Sequence, residues 1–93
     1  MYLEIVTPEA SLVSGEVESL TVPGVDGEFQ MLNNHAPIVS TLKEGLIKIT
    51  ALSFDFNKGS EEQFNKVNDQ NYTLAINSGT IELKDNKVIV LVD

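Results

Sequence analysis

Apolar and polar residues alternate with a period of two along most of this 93-residue chain. Such alternation is typical of strands with one buried face, because successive side chains of a strand point to opposite sides. Turn residues separate the segments. Strands are therefore predicted around residues 2–6, 12–13, 16–22, 28–32, 38–39, 46–51, 52–57, 72–76, 80–84 and 88–92. Residues 1–93 are expected to form a single all-β domain, a sandwich or barrel of about eight to ten short strands.

Three places in the pattern call for separate interpretation. Val17 is out of step with the apolar residues from Leu20 onwards, which predicts a β-bulge between them. Asp85-Asn86 is typical of a tight hairpin turn, because both residue types tolerate a positive φ. Residues 60–67 are a weak helix candidate, but their single apolar pair favours a strand or a loop.

The last predicted strand departs from alternation, because the chain is apolar at every position from Val88 to Val92. A strand that is apolar on both faces is expected to be covered on both. In a chain of this size the outer cover is either a loop or a second protein. Val88, Val90 and Val92 are therefore candidate contacts with a partner.

Composition and charge exclude several classes of function. With 14 acidic residues, six lysines and no arginine, the formal net charge is −8, which argues against nucleic acid and against adhesion to anionic lipid. The absence of cysteine excludes disulfides and thiolate chemistry. No apolar run approaches the ~18–20 residues of a membrane span, and no signal peptide opens the chain. We therefore expect a soluble chain in the cytoplasm.

The single histidine, His35, is the main candidate for catalysis or metal binding. A general base needs a partner that orients it, and the candidates are Asp26 and Glu28, which are close in sequence, and Ser40, five residues downstream. No G-x-S-x-G motif is present, and one histidine with two carboxylates falls short of the usual zinc ligand sets. We expect His35 to shape its loop, and we expect no catalytic residue, metal or cofactor.

Several motifs in order resemble the epsilon subunit of the bacterial F-type rotary ATP synthase. They are Leu3-Glu4-Ile5-Val6-Thr7-Pro8, Gly15-Glu16-Val17, Leu20-Thr21-Val22-Pro23-Gly24, Gly27-Glu28-Phe29, Asn34-His35-Ala36-Pro37, Ser78-Gly79 and Val90-Leu91-Val92-Asp93. The resemblance covers roughly residues 2–50 and 72–93. Residues 50–71 match no motif of this family.

The resemblance implies a flattened ten-stranded β-sandwich at the foot of the central stalk. Such a domain clasps the gamma subunit and rests on the c-ring. It couples ring rotation to catalysis elsewhere in the complex and is itself non-catalytic, without a small-molecule substrate. The expected location is the cytoplasmic side of the plasma membrane, with membrane contact only through the complex.

The resemblance also assigns roles to individual residues. Glu28 stands where the family has an acidic residue that meets the polar loop of the c-ring. Asn34 and His35 lie on the family's signature loop, which is expected at the same ring-facing end. Gamma becomes the candidate cover for Val88, Val90 and Val92.

One departure from the family concerns the end of the chain at Asp93. Typical members continue into two C-terminal helices that bind gamma and inhibit ATP hydrolysis. We therefore expect coupling and assembly without helical inhibition, and the start at Met1 favours a naturally short form over a truncated one.

Two other functions remain open. A free-standing β-sandwich module that binds a ligand or peptide would present a cluster of exposed aromatic side chains. A small hydrolase would have a pocket that joins His35 to Asp26 or Ser40.

Overall fold

The computed structural model describes residues 1–52, 55–56 and 61–93. They form eleven strands and one short 3₁₀ helix, Glu61–Gln63, and the prediction of an all-β fold is confirmed. No helix in these ranges is long and apolar enough to cross a membrane. The strands are β1 (Tyr2–Val6), β2 (Ser11–Glu16), β3 (Ser19–Gly24), β4 (Gly27–Leu32), β5 (Ile38–Leu42), β6 (Gly45–Thr50), β7 (Asp55–Phe56), β8 (Phe64–Asn68), β9 (Asn71–Ile76), β10 (Gly79–Lys84) and β11 (Lys87–Val92).

The strands form one continuous hydrogen-bonded sheet that curls around a core. Its order is β7-β2-β1-β11-β10-β5-β3-β6-β9-β8, and β4 pairs with β3 beside this path. Strand β3 is the corner of the sheet. Its residues Ser19 to Thr21 pair with β6, whereas its last residue, Gly24, pairs with Leu42 of β5. Strands β1 and β11 are parallel, and every other described pair is antiparallel.

Alternate residues from both halves of the sheet meet in a single hydrophobic core. On β6 the buried residues are Ile47 and Ile49, and on β10 they are Ile81 and Leu83. The largest fully buried side chains are Leu3, Ile5, Leu20, Met31, Leu42, Ile47, Ile49, Ile81, Leu83, Val13, Val22 and Val88. Burial of these inner faces is the main force that holds the curled sheet together.

The β-bulge predicted between Val17 and Leu20 is wrong. Strand β2 ends at Glu16 and β3 begins at Ser19, so the chain passes from one half of the sheet to the other at this point. Val17 is buried in the core, and its N–H donates to the Met1 carbonyl at 2.8 Å. A strand break explains the phase slip, because the two strands set their inner faces independently.

The predicted hairpin turn between β10 and β11 is confirmed. Asp85 and Asn86 have φ values of 52° and 61°, as a type I′ turn requires. In residues 60–67, strand β8 begins at Phe64, in keeping with the preference for strand or loop. Residues 53–54 and 57 of the strand predicted at 52–57 lie outside the described residues.

Candidate partner-binding surfaces

Strand β4 separates the two ring-side candidates that the resemblance placed together. Glu28 is the second residue of β4, beside the turn that joins β3 to β4. His35 lies in the loop after Leu32, the last residue of β4. At ~3.4 Å per residue, the backbones of Glu28 and Leu32 are about 14 Å apart. Glu28 therefore lies near the start of β4 and His35 lies beyond its last residue, and the contact of both residues with the c-ring stays a prediction.

Glu28 is exposed on the outer side of β4, and it is held by an ion pair within the chain. Its Oε2 lies 3.2 Å from Nζ of Lys48, which reaches across β3 from β6. Both side chains are about half exposed, at 52% and 50%. Such a solvated pair contributes only ~0–1 kcal/mol to stability, so Glu28 remains available to a partner.

The loop after β4 is shaped by backbone and side-chain hydrogen bonds. Asn34 has a φ of 64°, a conformation that asparagine adopts more readily than most residues. Its N–H donates to Oδ1 of Asn86 at 2.8 Å. The His35 N–H donates to the Leu32 carbonyl at 3.2 Å, and its Nδ1–H donates to the Ala36 carbonyl at 2.7 Å. Asn34 and His35 are both exposed at the surface of the domain.

The inner residues of β11 are not accessible to a partner. Val88 and Val90 are fully buried and Val92 is nearly so, all three in the core of the chain itself. The residues that face outwards on this strand are Ile89, which is half-buried, and Leu91, which is 51% exposed. The choice of Val88, Val90 and Val92 as contact residues is corrected, because strand alternation turns their side chains inwards.

The outward residues of β11 belong to a larger apolar surface. Val39 on β5 is 75% exposed, and Glu82 of β10 lies between it and Ile89 in the strand register. We call Val39, Ile89 and Leu91 the apolar outer patch. Glu82 on one side of Ile89 and Glu4 of β1 on the other are its cross-strand neighbours. The apolar outer patch therefore has carboxylates directly beside it.

The residues that a hydrolase would require do not come together. Asp26 lies in the β3–β4 turn, at the opposite end of β4 from His35. The Ser40 hydroxyl donates to the neighbouring Thr41 carbonyl at 3.3 Å. Within the described ranges no three His, Cys, Asp or Glu residues form a group that could hold a metal ion.

The aromatic side chains that the structure describes do not form an exposed cluster. Phe64 is buried, and Phe29 and Tyr72 pack partly against the core. Tyr2 is 36% exposed and lies 5.8 Å from Nζ of Lys87, measured to the centre of its ring. The described part of the chain thus lacks the feature that would favour a ligand-binding module.

Besides Ile89 and Leu91, two further residues of these surfaces, Val39 and Asn86, were missed in the sequence. Val39 stands in a pair of apolar residues that gives no sign of which one faces outwards, and only the pairing of β5 with β10 shows it. The contact of Asn86 with Asn34 joins residues 52 positions apart. No local pattern could have indicated it.

Comparison with known proteins places this chain in a family. The family model described as "ATP synthase, Delta/Epsilon chain, beta-sandwich domain" matches residues 1–58. The ATP synthase epsilon chain of Campylobacter curvus (strain 525.92) is 39% identical over 93 residues, which are 100% of this chain and 60% of that protein. The epsilon chain of Chlorobium limicola is 35% identical over 91 residues, which are 98% of this chain and 86% of that one.

A solved structure shares the fold. The cryo-EM structure of the central stalk and c-ring of the Tetrahymena thermophila mitochondrial ATP synthase contains a chain that superposes with a TM-score of 0.65. The match covers 99% of this chain and 62% of that chain at 14% sequence identity, so it shows the fold alone. This chain spans 60% of the length of the Campylobacter relative. On the family model and these relatives, the chain belongs to the delta/epsilon chain family of ATP synthases, whose β-sandwich domain it contains.

Proposed function

We propose that this chain is a rotor-stalk subunit of a proton-translocating ATP synthase, in which it links gamma to the c-ring and supports coupling and assembly. The observation that carries the proposal is the family match over residues 1–58, with relatives called epsilon chains along the whole of this chain. The subunit is non-catalytic and binds no small-molecule substrate. It reaches the inner face of the plasma membrane only through the complex.

The apolar outer patch is the surface that we assign to gamma. An apolar centre beside polar neighbours has the composition of a protein interface. Leu91 and Val39 are more than half exposed in the chain, and a protein that covers them removes apolar surface from water. Because Glu82 and Glu4 flank Ile89, the matching surface of gamma should combine apolar side chains with lysine or arginine.

The c-ring contact that we propose runs along β4. Strand β4 has a single strand neighbour, β3, within the described residues. Glu28 near its start and Asn34 and His35 beyond its end are all exposed. A contact that includes all three must therefore follow the length of the strand. Helical inhibition is outside this proposal, because no described residue forms a helix of the kind the family uses for it.

Binding to the cognate gamma subunit tests the proposal. The folded chain should co-purify with gamma, and Val39→Ser should weaken the complex because it removes an apolar side chain from the apolar outer patch. Thr73→Ser, on β9 beside the exposed Lys48, is the control outside the apolar outer patch and should bind as the unchanged chain does. A folded chain without measurable affinity for its cognate gamma would contradict the proposed function.

A further inference from the structure

Asn86 connects three separate segments at one end of the domain. Its side-chain Oδ1 accepts a hydrogen bond from the Asn34 N–H at 2.8 Å. Its main-chain carbonyl accepts a hydrogen bond from the Tyr2 N–H at 2.9 Å. The β10–β11 turn is thus joined both to the start of β1 and to the loop that carries His35.

The loop needs such support because its own bonds are local. Asn34 holds a left-handed conformation that residues other than glycine adopt at some cost. The bond from the His35 N–H to the Leu32 carbonyl spans three residues and is long, at 3.2 Å. The Asn86 side chain instead attaches the loop to the last hairpin. The Met1 amino group also contacts Oδ1 of Asn33.

We propose that Asn86 is a positioning residue that fixes the Asn34–His35 loop in the conformation in which it meets a partner. The same hairpin continues into β11, which carries Ile89 and Leu91 of the apolar outer patch. The β10–β11 hairpin then positions both the Asn34–His35 loop and the apolar outer patch. The effect on binding rests on the proposed function, whereas the effect on the loop does not.

Amide hydrogen exchange in the isolated chain tests the positioning role. Asn86→Gly keeps the turn, because glycine readily adopts a positive φ, and removes only the side-chain acceptor. Exchange of the Asn34 amide should become about three- to tenfold faster, as expected for the loss of one hydrogen bond. The Tyr2 amide is the internal reference, since its acceptor is the main-chain carbonyl. Asn86→Asp retains an acceptor oxygen and should restore slow exchange at Asn34.

Asp85→Gly is the matched control, because it changes the same turn without touching the loop. Unchanged Asn34 exchange in Asn86→Gly would overturn the inference, and so would an equal change in Asp85→Gly. If the glycine variant does not fold, a scalar coupling across the hydrogen bond, from the Asn34 nitrogen to Cγ of Asn86, gives the answer in the unchanged chain. Detection of this coupling supports the bond, and its absence overturns it.

Affinity for the cognate c-ring then separates the inference from the proposed function. Both stand if Asn86→Gly speeds Asn34 exchange and also weakens binding about threefold or more, with rescue by Asn86→Asp. Faster exchange with unchanged binding supports the positioning role and counts against the loop as a contact with the ring. Unchanged exchange overturns the positioning role whatever the affinity.

Discussion

The two outer faces of the sheet differ although the same alternation produces both. On the face formed by β3, β6 and β9, a cross-strand row consists of Thr21, Lys48 and Thr73. We call this row the polar outer face. On the other side, the apolar outer patch has Val39 at 75% and Leu91 at 51% exposure. The inner faces form the core, and the two outer faces differ in how much apolar side chain they expose.

Exposed leucines also lie on or beside the polar outer face, but they are separated from one another. Leu46, on β6, is 43% exposed, and Leu32, on β4, is 54% exposed. Strand β3 lies between them, and they stand at opposite ends of their strands. Isolated apolar residues of this kind are normal on protein surfaces, whereas Ile89 and Leu91 are successive outward residues of one strand and form an apolar surface of the kind found at interaction sites.

The largest effect is expected from an acid on the inner side of β11. Val90→Asp buries an unpaired charge in the core and should cost more than about 4 kcal/mol, enough to unfold the domain. Leu91→Asp, one position along and facing outwards, should remain folded. Thermal and urea unfolding followed by circular dichroism compare the two. Equal stability of both variants would contradict the assignment of inner and outer sides.

Gly79 should be the next most sensitive position, because the backbone of β11 approaches it closely. A Cβ at Gly79 would overlap the Leu91 carbonyl oxygen, so Gly79→Ala should destabilise the domain by about 2–3 kcal/mol. At Gly15 a Cβ meets nothing within 4 Å, so Gly15→Ala is the matched control and should leave the unfolding free energy nearly unchanged. If Gly79→Ala leaves the free energy of unfolding nearly unchanged, the Leu91 carbonyl oxygen does not lie as close to Gly79 as the structure has it.

Replacing one exposed leucine on each outer face shows which face binds gamma. Leu91→Ser should weaken gamma binding about tenfold, the scale of an important interface residue, and should change stability little. Leu46→Ser removes a leucine of similar exposure from the opposite side and should leave the affinity unchanged. Isothermal titration calorimetry gives both dissociation constants. If Leu46→Ser weakens gamma binding as much as Leu91→Ser or more, the apolar outer patch is not the main gamma-binding surface.

The smallest effect is expected beside the polar outer face. Glu28→Gln removes the charge that lies 3.2 Å from Lys48 and should lower the unfolding free energy by less than about 1 kcal/mol. Salt should reduce the difference, because it screens exposed charges. A double-mutant cycle with Lys48→Met isolates the pair. A large, salt-independent coupling energy would show that the pair is not screened by solvent in the way that its half-exposed side chains indicate.

Much of the fold could be predicted because local patterns determine it. Ile47 and Ile49 alternate with polar residues, so the inner side of β6 is evident from the sequence alone. Asp85 and Asn86 indicate their turn through the φ values they tolerate. At Val17 a strand break and a bulge leave the same change of phase, and the sequence cannot distinguish them.

The surfaces were harder to predict because they depend on long-range pairing. Five consecutive apolar residues in β11 do not show which of them face inwards. Val39 joins Ile89 only through the register of β5 with β10 and of β10 with β11. Glu28 and His35 are close in sequence, but the first lies near the start of β4 and the second beyond its last residue.

Methyl NMR during a titration with gamma tests most directly whether the apolar outer patch is the surface that binds gamma. The methyl signals of Val39, Ile89 and Leu91 should shift or broaden together as gamma is added. The signal of Leu46 should stay in place. Perturbation at Leu46, with the three signals of the apolar outer patch unchanged, would contradict the assignment of this patch to gamma.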